Sequence, residues 1–169
     1  MLQRKRTSLE ILRAGSVSPS LVLDHLLRGK AVIPGVQLIG ERIGSRGVVL
    51  AFDTEIIYVV GVGTMASDIL VAALHDAAWL KGEESLVRAA YPQAARSLSG
   101  VLLAADLFPP AFPSLLPLLS LPCRLFRSIA VGDASSPHLF FESYPPQLPE
   151  KGIASEGITK EEERFFSSW

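Results

Sequence analysis

Gly44-Ser45-Arg46-Gly47-Val48-Val49-Leu50-Ala51-Phe52-Asp53, followed after Thr54 by Glu55-Ile56-Ile57-Tyr58-Val59-Val60-Gly61-Val62-Gly63, decides how this chain folds. Gly47–Phe52 is a mostly apolar run of strand length, and Ile56–Val62 is a second, more apolar one. Asp53-Thr54 between them has the polar, turn-forming character that joins two strands into a hairpin. Upstream, Val36–Ile43 is strand-like, and Gly44-Ser45 punctuates the chain before the hairpin begins.

Working outward, Ser8–Ala14 and Ser18–Arg28 read as helices. In the second, Leu21, Leu23, Leu26 and Leu27 form a stripe near helical spacing, with Ser18 or Ser20 as the N-cap and Gly29 as the stop. Ser67–Lys81 is an Ala-rich helix, capped by Ser67, with Asp68 in its first turn. Ile69, Leu70, Ala73, Leu74, Ala77 and Ala78 recur at three- and four-residue steps. Glu83–Ala95 predicts another helix, interrupted at Pro92. Gly100–Ala105 has the length of a buried strand, Pro113–Leu119 that of a short helix, Pro122–Val131 that of a strand and His138–Glu142 that of an edge strand. The alternation of helices and strands is an α/β plan.

The chain has 169 residues, room for one domain with a sizeable core. Nearly half the residues are apolar, so the composition is not that of a disordered chain. Val101–Leu125, the richest apolar stretch, holds five prolines and reads as short elements, and no run approaches the length of a membrane span. Met1-Leu2-Gln3-Arg4-Lys5-Arg6 is basic without a following apolar segment, which argues against a signal peptide and predicts a cytoplasmic protein. With 16 basic and 17 acidic residues the formal charge is −1, which offers no global attraction to nucleic acid. Arg4-Lys5-Arg6 is a basic cluster that reads first as a solvated terminus. Cys123, the single cysteine, excludes an intrachain disulfide and reads as a small buried side chain. Pro145, Pro146 and Pro149 mark a stiff linker over 145–157 after a domain over 1–144. Thr159 and Glu162 have capping-box spacing, so 158–169 predicts a short helix ending in Phe165, Phe166 and Trp169.

The order of elements, with Arg46-Gly47-Val48-Val49-Leu50-Ala51, then Val59-Val60-Gly61-Val62-Gly63, then Leu74-His75-Asp76-Ala77-Ala78-Trp79-Leu80 and Val101–Ala105, resembles the PD-(D/E)XK, or restriction-endonuclease-like, nuclease superfamily. The resemblance covers roughly residues 36–131. It implies a three-layer α/β core with a mixed central sheet flanked by helices. In that superfamily one strand carries Asp and the next Glu-x-Lys, which hold Mg²⁺ and stabilise charge at phosphorus. Here Val48 stands at the Asp position, Gly61 at the Glu position and Gly63 at the Lys position. None of the three supplies an oxygen ligand or a charge from its side chain. The resemblance therefore implies a retained scaffold without its catalytic motif, and no cofactor.

Two functional expectations follow. The first is a catalytically inactive nuclease-like domain serving as a binding or assembly module. Its partner would be a protein or a second copy; Phe165, Phe166 and Trp169 are too apolar to leave in water as a cluster, so they either fold back onto their own domain or dock on that other chain. Nucleic acid remains open through Arg46, although the net charge does not favour it, and no membrane is implicated. The alternative is a divergent Mg²⁺-dependent DNA nuclease whose carboxylates have moved to Glu41 and Asp53. Asp53 and Glu55 lie in the hairpin turn, where solvated charges are the ordinary reading. Other chemistry is weak. Gly61-Val62-Gly63 lacks the rest of a phosphate-binding loop and reads as a place where a helix packs on the sheet. Ser67, His75 and Asp76 lack a nucleophile elbow, and His75 and Asp76, adjacent on a helix, point apart. His25 and His138 have no metal-ligand spacing.

Overall fold

The β-hairpin read from residues 47–62 enters a sheet covered on both sides, which is why its strands are apolar on both faces. The structure is a computed structural model, and it describes residues 9–146. In chain order its elements are α1 (Pro19–Leu27), β1 (Gln37–Leu38), β2 (Leu50–Phe52), β3 (Ile56–Met65), α2 (Ala66–Gly82), α3 (Glu84–Ala90), β4 (Leu98–Leu107), α4 (Phe112–Leu115), β5 (Cys123–Asp133) and β6 (Ser136–Ser143). Among the described residues six strands form one mixed sheet in the order β1-β2-β3-β4-β5-β6. The first three strands pair antiparallel, β3, β4 and β5 are parallel, and β6 returns antiparallel on β5.

Alternate residues of the strands feed two cores. Ile57, Val59, Val101, Leu103 and Ala105 face α2 and α3, meeting Ala73, Leu80 and Val87. Tyr58, Leu102, Ala104, Phe126 and Phe141 face the other way, onto Val22 and Leu26 of α1 and onto Ile33. Val101 through Ala105 are wholly buried, because β4 is the central strand with a parallel neighbour on each side. The α/β class expected from the sequence, with a mixed sheet flanked by helices, is thus observed.

Several local expectations hold with shifted ends. Ser18 caps α1, its hydroxyl accepting from the Leu21 N–H at 3.3 Å, and Gly29, at φ +68°, follows the helix in a conformation that favours glycine. Ser18→Ala is expected to cost about 1 kcal/mol, visible as a lower urea midpoint with an unchanged slope. Pro92 does end α3, and a 3₁₀ turn at Pro92–Ala94 follows. His138–Glu142 lies inside β6, at the sheet edge.

Other expectations fail for identifiable reasons. Leu9–Ala14 is not helical. Ile11 bridges antiparallel to Val131, the Leu12 N–H donates to the Ala130 carbonyl at 2.8 Å, and the Gly132 N–H donates to the Glu10 carbonyl at 2.9 Å. The pairing of β4 with β5 stops at Arg127, so backbone groups of β5 beyond that point need partners, and the N-terminal segment supplies them. Ser67 does not cap α2. Strand passes into helix with no intervening loop, so the last residue of β3, Met65, is the N-cap, and its thioether side chain makes no cap bond. The strand expected over Val36–Ile43 shrinks to Gln37–Leu38, with one further bridge from Ile43 to Val48 closed by the turn at Gly44–Gly47. Arg4-Lys5-Arg6, most of the linker expected over 145–157 and the helix expected over 158–169, with Phe165, Phe166 and Trp169, lie outside the described residues.

Candidate functional site

Val48, Gly61 and Gly63 meet on the face of the hairpin covered by α2. Leu50 pairs with Val59, and the Val60 N–H donates to the Val49 carbonyl at 2.9 Å, so the same register places Val48 across from Gly61. Val48 is buried in the core beneath α2. A Cβ on Gly61 would stand 3.0 Å from Leu103 Cδ2 and 3.4 Å from the Ala73 Cβ. A Cβ on Gly63 would stand 2.4 Å from Ile69 Cγ2, closer than any real contact. Ile69 is β-branched and on a helix, so its χ1 has little freedom to move that methyl aside. The two glycines let α2 sit directly on β3. The space in which a carboxylate and a lysine would project is filled by hydrocarbon.

The loop before β2 is tied to the same helix. Arg46 pairs with Asp76 at 3.0 Å, and Gly44, at φ +69°, lies against the Trp79 ring. Both members of the ion pair are partly solvated, which limits its contribution to roughly 0–1 kcal/mol. Arg46 is therefore engaged with α2, and Asp76 is turned to Arg46 and away from any triad with Ser67 and His75.

Asp53 lies at the other end of the hairpin. Five residues of strand at about 3.3 Å each put it roughly 16 Å from Val48, too far to share an ion with that position. One carboxylate oxygen of Asp53 accepts from the N–H groups of Glu55 and Ile56, both at 2.8 Å. The other accepts from the Tyr58 hydroxyl at 2.7 Å and faces Arg124 at 3.5 Å. Burial acts to raise the Asp53 carboxyl, but the hydrogen bonds from Glu55, Tyr58 and Ile56 and the Arg124 charge outweigh it and hold the group below its ordinary value of 3.8. Burial, with the bond to Asp53, pushes the Tyr58 hydroxyl up to about 12. Arg96 lies over the Phe52 ring and donates to the carbonyls of Asp53, Gln93 and Ala95. Arg124 lies over Phe126. This end opens into a groove of about 580 Å³ lined in part by Gly35, Gln37, Phe52, Asp53 and Arg96. The chemistry assembled there is that of a neutralised, hydrogen-bonded turn.

Glu41 borders an adjoining groove, where it accepts from the Tyr91 hydroxyl, and that bond raises the Tyr91 hydroxyl above its ordinary value. Phe52 and Gln37 line both grooves, but Glu41 and Asp53 do not line the same one. His25 lies in the last turn of α1 and His138 on the exposed side of β6. Cys123 begins β5, and burial pushes its thiol up to about 11, away from the thiolate a nucleophile needs.

Sequence reading passed over Asp106 and Ser128, at the far end of the parallel strands. The Ser128 hydroxyl donates to Asp106 at 2.5 Å, and the Gly15 N–H donates to its second oxygen at 2.8 Å. Both side a cavity of about 220 Å³ between the N-terminal segment, α1 and β5. The available signal was Asp106 itself, the only charge in the run Val101–Leu107. Its bonds are satisfied from within the fold, and it pins the N-terminal segment to the sheet. Among the described residues no three His, Cys, Asp or Glu side chains converge where they could hold a metal ion. Comparison with protein-family models, curated proteins and solved structures returned no match.

Proposed function

We propose that this chain is a catalytically inactive domain of the PD-(D/E)XK nuclease-like kind, serving as a binding or assembly module. The observation that carries the reading is the contact between Gly63 and Ile69. The strand position that resembles the nuclease lysine has no room for a side chain, and its neighbours Gly61 and Val48 are packed with hydrocarbon. The element order supports the same reading, since a helix, an antiparallel three-strand meander and a strand–helix–strand parallel crossover follow one another from α1 to β4. Replacing clustered carboxylates with Val and Gly removes their desolvation cost, which stabilises a scaffold that no longer binds a metal.

The test is calorimetric titration of the whole chain with Mg²⁺ and Mn²⁺ beside a nicking assay on supercoiled plasmid. No heat beyond dilution and no nicked product are expected. Metal-dependent nicking that disappears in Glu41→Ala, with the variant's circular dichroism unchanged, would establish the divergent-nuclease alternative instead. A gel shift at low and high salt reports on nucleic acid as the partner, because phosphate-driven binding weakens steeply with salt.

A further inference from the structure

The outer edge of β6 carries a self-complementary pattern. Among the described residues no strand pairs with that edge. It is eight residues long, Ser136-Pro137-His138-Leu139-Phe140-Phe141-Glu142-Ser143, and contains no lysine or arginine to discourage pairing. Phe140 is 57% exposed and lies beside the half-buried Ile129, its cross-strand partner on β5.

The hydrogen-bond phase of the edge follows from its pairing with β5. The Tyr144 N–H donates to the Leu125 carbonyl at 2.9 Å, which sets the phase in which Glu142–Arg127, Phe140–Ile129 and His138–Val131 exchange their bonds inward. The opposite side of β5 agrees, since Ala130 and Gly132 there bond to the N-terminal segment. By alternation, the N–H and C=O groups of Leu139, Phe141 and Ser143 point outward, as does the carbonyl of Pro137, which has no N–H to offer.

We propose that β6 pairs antiparallel with β6 of a second copy, across a two-fold axis at Phe140, joining the two sheets into one. In that register Phe140 faces its own symmetry mate, and His138 of each copy faces Glu142 of the other. These three residues all lie on the exposed face. They fall in non-hydrogen-bonded positions, where side chains approach most closely. Leu139 and Phe141 of opposite copies then exchange both of their outward bonds, and the Ser143 N–H meets the Pro137 carbonyl. Neighbouring registers lose this match. An axis at Leu139 sets His138 against Phe140, and an axis at Phe141 sets Glu142 against Phe140. An isologous contact of this kind closes on itself and stops at two copies. The inference rests on the β6 edge alone and does not depend on kinship with nucleases.

A strand-edge contact is smaller than a standard interface, so the expected dissociation constant is on the order of 10–100 µM. Light scattering and sedimentation of the full chain from about 10 µM to 1 mM should show monomer passing to dimer over that range. Phe140→Lys sets like charges face to face at the axis and should weaken association at least tenfold. His138→Lys, which makes the charge facing Glu142 permanent, should strengthen it. In a Cys123→Ser background, Phe140→Cys should form an interchain disulfide on mild oxidation. His138→Cys and Glu142→Cys should cross-link only when the two variants are mixed. A mass that stays monomeric throughout, or cross-links without this register preference, overturns the proposal. So does association that survives Phe140→Lys but is lost when residues 147–169 are removed, since the tail would then be the contact.

Discussion

Gly63→Lys is expected to destabilise the fold by about 3 kcal/mol or more, and to leave the protein without nuclease activity. The first new atom, Cβ, would meet Ile69 Cγ2 at 2.4 Å. Relief requires moving α2 off β3 or forcing Ile69 out of its helical rotamer, and overpacking of this kind costs roughly 1–3 kcal/mol by itself. The rest of the side chain would carry an ammonium beneath α2, with Val48 and Gly61 rather than carboxylates on that face. An unpaired buried charge adds several kcal/mol or drives the helix outward. Gly63→Ala isolates the steric part, at about 2 kcal/mol. Gly61→Ala, whose Cβ meets its nearest neighbour at 3.0 Å, at the far end of the Leu103 side chain, should cost less. Thermal and urea unfolding of the three variants gives the order directly, and a 3 kcal/mol loss in a domain of this size lowers Tm by roughly 6–12 °C. If Gly63→Lys were as stable as the parent, the close seat of α2 on β3 would be wrong, and the inactive-scaffold reading would go with it.

What was legible in the sequence tracks how local the physics is. The hairpin, the Ala-rich α2 and the buried β4 are announced by runs and periods within a few residues, and tertiary packing only extends their ends. The glycines at 61 and 63 were visible, and so was the lack of charge at those positions. That Ile69 is the residue occupying the space depends on how α2 folds back, which no local pattern states. Leu9–Ala14 was misread because an isolated apolar segment has no way to signal that β5 has unpaired backbone groups more than a hundred residues later. Ser67 is a good cap residue in the abstract, but β3 running directly into α2 leaves the capping position to Met65. Asp53 was recognised as a turn acid. Its bond to Tyr58 and its approach to Arg124, distant in sequence, emerge only when β2, β3 and β5 are brought to one end of the sheet.

The same Asp53 separates a structural carboxylate from a catalytic one. Asp53→Ala is expected to cost about 3 kcal/mol, because it strips the acceptor from two turn N–H groups, leaves the deeply buried Tyr58 hydroxyl without its partner and leaves Arg124 without its counter-charge. Asp53→Asn keeps an oxygen for the Glu55 and Ile56 N–H groups but turns an amide toward Tyr58 and Arg124, so about 1 kcal/mol is expected. The pH dependence fixes the sign. The folded carboxyl is held below its ordinary 3.8, so its charge-dependent contribution is complete above that value and is lost as pH falls through the lower, folded one. The gap between parent and Asp53→Ala should therefore be widest at neutral pH and shrink in urea titrations carried below about pH 4. A metal-ligating carboxylate behaves in the opposite way. Its removal relieves repulsion in the unloaded protein, stabilises or leaves unchanged the unfolding midpoint, and abolishes cutting. A neutral or stabilising Asp53→Ala would thus revive the nuclease alternative, whereas a pH-sensitive loss of stability assigns Asp53 to the hairpin it closes.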